Sequence, residues 1–170
     1  IRASVKPAQM ITKRQMPDME WAPGAMLNYA ENVLKHAETR ADDVAIIVHS
    51  ETFERCELTW GDLRRQVASV ASELRGMGVT QGDRVVAILP NTETALIAFL
   101  ASVSIGAVWS LCAPDMGHVA ILDRFKQIAP KVLIAQDGYV HASKQVDRRD
   151  VLAQISAGLP SVVQFVTLPV

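Results

Sequence analysis

Residues 95–113 read ALIAFLASVSIGAVWSLCA, nineteen positions without a charged side chain. Nineteen residues are enough to cross a bilayer as one helix, so this run must be placed before anything else: as a membrane span, as core, or as two elements end to end. As a span it is poor. Alanines, serines and a glycine interrupt its large apolar residues, and no arginine or lysine stands close to either end. Divided at Gly106 it resolves, because glycine adopts the left-handed conformation that ends a helix. The pattern then predicts a helix over 92–105, after Pro90-Asn91, and a strand over Val108–Cys112 ahead of Pro114. A strand so apolar is expected to be buried on both faces, as in a parallel sheet covered by helices.

The rest of the chain supports that sheet. Residues 1–23 mix methionine, proline and basic residues without a steady period and read as an extended arm; Asn28 is placed to cap a short helix over 29–37 with Val33 and Leu34 turned inward. An apolar, partly β-branched run at 44–48 has a hairpin partner at 56–58 across 50–54. In LTWGDLRRQVASVASELRGMGV, Thr59 and Asp62 form a capping-box pattern, and Leu63, Val67, Val70, Leu74 and Met77 recur at helical spacing up to Gly78. Beyond it, strands at 84–89, 108–112, 132–135 and 162–166 alternate with helices at 92–105, 119–128 and within 144–157. Short apolar strands alternating with helices predict an α/β fold: a mostly parallel sheet with helices on both faces and right-handed crossovers.

With 49% hydrophobic and 21% charged residues in 170, the chain has ordinary globular usage and enough length for one substantial core. A formal net charge of -1 gives no electrostatic reason to expect nucleic acid or anionic lipid as a partner. Cys56 and Cys112 stand far apart without metal or disulfide spacing, and no signal peptide is visible, so both are expected as free thiols in a reducing, cytoplasmic setting. The first residue is Ile rather than Met, which fits a fragment.

In an open parallel sheet, ligands gather outside the carboxyl ends of the strands. Three loops are expected on that edge: LPNTE at 89–93, CAPDMGH at 112–118 and AQDGYVHASK at 135–144. Asp115 reads as a helix-capping and turn residue before a ligand contact, and His118 as a residue at a helix start rather than a base, since no nucleophile and carboxylate are arranged around it. Gly76-Met77-Gly78 lies at a helix end and fails the context of a dinucleotide loop; GxxxxGK[ST], GxSxG, HExxH and CxxC are absent. Lys144, Arg148 and Arg149, interleaved with Asp147 and Asp150, read as a solvated helix face.

Five collinear stretches carry a resemblance: WAPGAMLNYAEN at 21–32, LTWGDLRRQV at 58–67, GVTQGDRVVAILPN at 78–91, SIGAVWS at 104–110 and LDRFKQIAPKVL at 122–133. Together they are similar to the amino-terminal part of acyl-CoA synthetases in the adenylate-forming, AMP-binding superfamily. Within that family Trp109-Ser110 with Cys112-Ala113-Pro114-Asp115, and Asp137-Gly138-Tyr139, resemble the members acting on acetoacetate more than those acting on acetate.

The resemblance implies a ligase that uses ATP, Mg2+ and coenzyme A to convert a short carboxylic acid, acetoacetate first, to its thioester through an acyl-adenylate. It implies an arm over 1–40 and, over 41–170, the first part of the large domain, incomplete. The family's Ser/Thr/Gly-rich phosphate loop ending in Pro-Lys-Gly does not occur in these 170 residues, and its acidic metal ligand and mobile-domain lysine are expected outside them. No catalytic residue and no metal ligand is therefore expected here. Where the family places basic residues against coenzyme A phosphates, this chain has His141 and Lys144. Ala142-Ser143 replace the usual glycines, and histidine carries little charge near neutral pH. The structural alternative for Lys144 is a surface lysine at a helix start. Two other readings remain open: a fragment of an acetyl-CoA or other short-chain synthetase, and a stand-alone coenzyme A or nucleotide-binding module.

Overall fold

The computed structural model describes residues 2–50 and 55–170. In the arm, β1 (Ile11–Lys13) and β2 (Glu20–Trp21) form a small antiparallel pair. Helix α1 (Tyr29–Leu34) starts because the Asn28 side-chain oxygen accepts from the Glu31 N–H at 3.1 Å. The same side chain donates from Nδ2 to the carbonyls of Val103 and Ser104 at 3.0 and 3.1 Å, so one residue caps α1 and holds it against the end of a later helix. A 3₁₀ turn (Lys35–Glu38) leads to the antiparallel hairpin of β3 (Val44–Val48) and β4 (Cys56–Thr59). Of the connection foreseen between them, residues 51–54 lie outside the described ones.

Helix α2 (Trp60–Gly76) is capped as its sequence predicts. The Thr59 hydroxyl oxygen accepts from the Asp62 N–H at 3.1 Å, and the hydroxyl donates to the Asp62 carboxylate at 2.8 Å. Leu63, Val67, Ala71 and Leu74 are buried, with Val70 and Met77 partly buried beside them.

The alternating part follows as β5 (Arg84–Ile88), α3 (Glu93–Ser104), β6 (Val108–Cys112), α4 (His118–Lys126) and β7 (Val132–Gln136). A hairpin of β8 (Gly138–His141) and β9 (Lys144–Asp147) comes next, then α5 (Arg149–Ala157) and β10 (Gln164–Leu168). The four long strands are parallel in the order β10-β7-β5-β6. Side-chain alternation on the central strands builds two cores. Val85, Ala87, Val132 and Ile134 join the buried residues of α2 and α3; Val86, Ile88, Leu133 and Ala135 join those of α4 and α5. The fold class is the expected one, with helices on both faces.

The opening run divides where predicted. Gly106 has φ +79°, and a Cβ there would stand 2.9 Å from a Gln81 side-chain carbon, so both conformation and space select glycine. Among the described residues no helix is long and apolar enough to cross a membrane.

Four expectations need correction. Strand β6 is not buried on both faces: it lies at the edge of the sheet, with Val108 49% and Leu111 40% exposed. Lys144 does not stand at a helix start, because 138–147 form a hairpin and the helix begins at Arg149. Asp115 does not cap α4; Gly117 holds the N-cap position without a side-chain bond, and Asp115 is exposed in the preceding turn. The last strand runs 164–168 rather than 162–166, since Val162 closes the turn after α5 by donating to the Leu159 carbonyl at 3.0 Å and packs against the second core.

Candidate functional site

The carboxyl ends of β5, β6 and β7 point to one edge, as parallel pairing requires, and the three foreseen loops leave from it. Leu89, at the start of the first, donates from its N–H to the Cys112 carbonyl at the start of the second at 3.3 Å, and the second and third are tied through backbone and side-chain groups. Asp137, following β7, donates from its N–H to the Leu168 carbonyl at 2.8 Å, and its Oδ1 accepts from the Val170 N–H at 3.0 Å. Its carbonyl accepts from the Arg148 N–H at 2.8 Å, while the Arg148 guanidinium donates to the Met116 carbonyl at 2.6 Å. Arg148 thus links the base of the β8–β9 hairpin to the loop after β6. It is a partly buried staple, not the solvated charge the pattern suggests.

The hairpin itself is dictated by close approach and by a tight turn. At Gly138 a Cβ would lie 2.5 Å from the Val146 carbonyl oxygen, closer than any side chain tolerates. At the tip Ala142 and Ser143 have φ +49° and +60°, the two positive angles of a two-residue hairpin turn that glycine and asparagine favour. The register places His141 directly opposite Lys144, and both are exposed. The structure therefore brings the two candidate coenzyme A residues together, on a projecting turn.

Beneath this hairpin, between the ends of β5, β7 and β10, lies a cavity of about 440 Å³ bordered by Thr92, Glu93, Gln136, Tyr139, Gln145 and Leu168 among others. Neither His141 nor Lys144 borders it, nor does the loop after β6 with Asp115 and His118. Glu93 is the residue sequence reasoning missed. Its Oε2 has no hydrogen-bond partner among the described residues. The only signal available was the place of LPNTE at a strand end.

A smaller polar recess of about 380 Å³ on the hairpin's flank is bordered by Asp137, Gly138, Gln145, Asp147 and Arg149. There the Arg149 guanidinium donates to Asp147 at 3.0 Å and holds its carboxyl down at about 2. Both side chains of the pair are largely exposed, where an ion pair contributes little. Cys56 and Cys112 are free thiols; Cys112 is buried, and burial raises its pKa. Among the described residues no three His, Cys, Asp or Glu side chains gather in a way that holds a metal ion.

The positive angles at the tip yield a test. Replacing Ala142 by Asn and Ser143 by Gly is expected to raise stability by about 1 kcal/mol, or roughly 2–4 °C in the midpoint of thermal unfolding for a chain of this size. A lower midpoint would show that the turn is not the one described.

A parallel sheet with a ligand-ready carboxyl edge defines a class, and comparison with known proteins makes it specific. The AMP-binding enzyme family matches residues 33–168, so the chain belongs to that family. Its relatives include acetoacetyl-CoA synthetases: that of Macaca fascicularis is 44% identical over 151 residues, covering 88% of this chain and 22% of the relative. That of Danio rerio is 43% identical over 160 residues, covering 94% of this chain and 24% of the relative. The solved structure of acetoacetyl-CoA synthetase from Streptomyces lividans superposes with a TM-score of 0.94 at 46% identity over 99% of this chain and 26% of that one. The chain spans about a quarter of the length of the relatives it matches.

Proposed function

We propose that the chain is the amino-terminal portion of an ATP-dependent acid–thiol ligase that converts acetoacetate to acetoacetyl-CoA, and that it contributes one wall of the coenzyme A entrance. The observation that carries this reading is the superposition on the Streptomyces lividans enzyme over nearly the whole chain at 46% identity. Residues 1–40 serve as an arm and residues 41–170 as the first part of the AMP-binding domain. The free thiols and the small net charge suit a cytoplasmic setting without nucleic acid as a partner.

The chemistry follows from leaving groups. A carboxylate oxygen of the acid attacks the α-phosphorus of ATP and pyrophosphate departs; the coenzyme A thiol then displaces AMP from the acyl carbon, giving up its proton. Mg2+ offsets the charge on the phosphates in such a reaction. The sequence holds no Ser/Thr/Gly-rich phosphate loop ending in Pro-Lys-Gly, and among the described residues no metal-holding cluster of three or more His, Cys, Asp or Glu occurs. What this chain offers is the projecting pair His141 and Lys144, with Lys144 acting as a point charge toward a coenzyme A phosphate.

Titration of the chain with coenzyme A tests the assignment. Weak binding is expected that declines as salt is raised above about 0.1 M, where the screening length is roughly 10 Å. Lys144→Ala should weaken it a further few-fold, because one exposed ion pair contributes at most about 1 kcal/mol. An affinity unaltered by Lys144→Ala would remove this residue from the site.

A further inference from the structure

We infer that Arg148 is a positioning residue for coenzyme A: acting at the base of the β8–β9 hairpin, it fixes where the turn carrying His141 and Lys144 stands, without itself meeting the ligand. This rests on the coenzyme A reading of that turn.

The need for such a residue comes from how little holds the hairpin. Strands β8 and β9 pair only with each other among the described residues, and a two-stranded hairpin standing alone is marginal in water. Beneath it lies a cavity rather than packed core: Tyr139, Val140 and Gln145 border the space of about 440 Å³. At roughly 3.3 Å per residue the turn stands about 10 Å from Gly138, so a tilt at the base is carried outward to it.

The ties are at the base. On one side Asp137 holds the hairpin to the end of β10, through its N–H to the Leu168 carbonyl at 2.8 Å and its Oδ1 accepting from the Val170 N–H at 3.0 Å. On the other side the Arg148 N–H donates to the Asp137 carbonyl at 2.8 Å, and its Nη2 donates to the Met116 carbonyl at 2.6 Å. Met116 is a firm anchor. Its side chain packs against the core under α4 and α5, and its N–H closes a turn on the Ala113 carbonyl at 3.2 Å. The guanidinium bond is charge-assisted and partly buried, the kind that holds a geometry better than a neutral bond does. Arg149 supplies the contrast: its guanidinium bonds Asp147, two residues away, and both side chains are largely exposed. It has the same charge one residue further along the chain, without the tie to the loop after β6.

The test is a chimera in which residues 1–170 replace the matched part of the Streptomyces lividans enzyme, assayed for thioester formation and for hydrogen exchange of its amides. Arg148→Met keeps the apolar stem and removes the donors. It is expected to raise the KM for coenzyme A a few-fold, no more than Lys144→Ala does, with kcat and the KM for acetoacetate held within about two-fold. The amides of 138–147 should exchange several-fold faster. Added to Lys144→Ala, Arg148→Met should raise the KM no further, because it acts through the turn. Arg149→Ala removes an equal charge and should leave the KM within about two-fold. Where Arg148→Met lowers the melting midpoint by more than a few degrees, Arg148→Lys, which keeps one donor, is read in its place and is expected to lie between Arg148→Met and the parent. Full additivity with Lys144→Ala would make Arg148 a direct contact and overturn the positioning role. So would an equal rise in KM with Arg149→Ala, which would assign the effect to charge alone, or unchanged hairpin exchange. A KM unaltered by Lys144→Ala would instead strike the coenzyme A reading, and the positioning role with it.

Discussion

Val86→Asp is expected to abolish the cooperative unfolding transition of this chain, while Val108→Asp leaves it within about 0.5–1 kcal/mol of the parent. Both are valines on adjacent parallel strands, and they differ in what surrounds them. Val86 is fully buried at the centre of β5, among Ile121, Phe125 and Leu133 in the core under α4 and α5. A carboxylate there has no partner, and the loss of packing adds to the cost of the charge. The sum exceeds about 4–5 kcal/mol, a large share of the 5–15 kcal/mol by which domains are typically stable. Val108 opens the edge strand and is 49% exposed, so an aspartate remains hydrated. Circular dichroism melting of the two variants checks the pair. A folded Val86→Asp, or an unfolded Val108→Asp, would mean that β5 and β6 have the wrong places in the sheet.

That contrast marks how far the sequence is legible. The composition of β6 is as apolar as that of a central strand, and composition does not reveal which neighbours a strand lacks. Where local chemistry decides, the sequence reads well. Asn28 and Thr59 cap the helices they are placed to cap, Gly106 divides the uncharged run, and the β/α alternation yields the parallel sheet. Where packing decides, it reads poorly. Val162 looks like strand but serves a turn. The β8–β9 hairpin has only four residues in each strand and turns on Ala142-Ser143, without the Asn-Gly or Gly-rich signal that would have announced it.

The candidate site divides the same way. Resemblance selects His141 and Lys144, and the hairpin register sets them opposite each other. The cavity below them is assembled from the ends of three strands and the first turn of α3. That the Glu93 Oε2 has no hydrogen-bond partner among the described residues is a tertiary fact, invisible until β5, β7 and β10 are laid side by side. Arg148 belongs with it: on a helix face it would be one more solvated charge, whereas at the hairpin base it binds the carbonyl of Met116.

The second large effect concerns catalysis. The 170 residues alone are expected to show no acetoacetate-dependent exchange of labelled pyrophosphate into ATP, and the chimera with the rest of the Streptomyces lividans enzyme is expected to show it clearly above background. Adenylation draws its rate from holding carboxylate and α-phosphorus in line and from fixed groups that stabilise the charge of the transition state. Such effects supply many powers of ten, and residues 1–170 contain neither the phosphate loop nor a metal-holding cluster among those described.

Pyrophosphate exchange in that chimera, measured with acetoacetate and with acetate as the acid, is the most direct trial of the account. Exchange with acetoacetate well above that with acetate, together with none from the purified 170 residues, is the predicted result. A folded chimera without acetoacetate-dependent exchange, or exchange by the 170 residues alone, would contradict the claim that this chain is the amino-terminal part of an acetoacetate ligase.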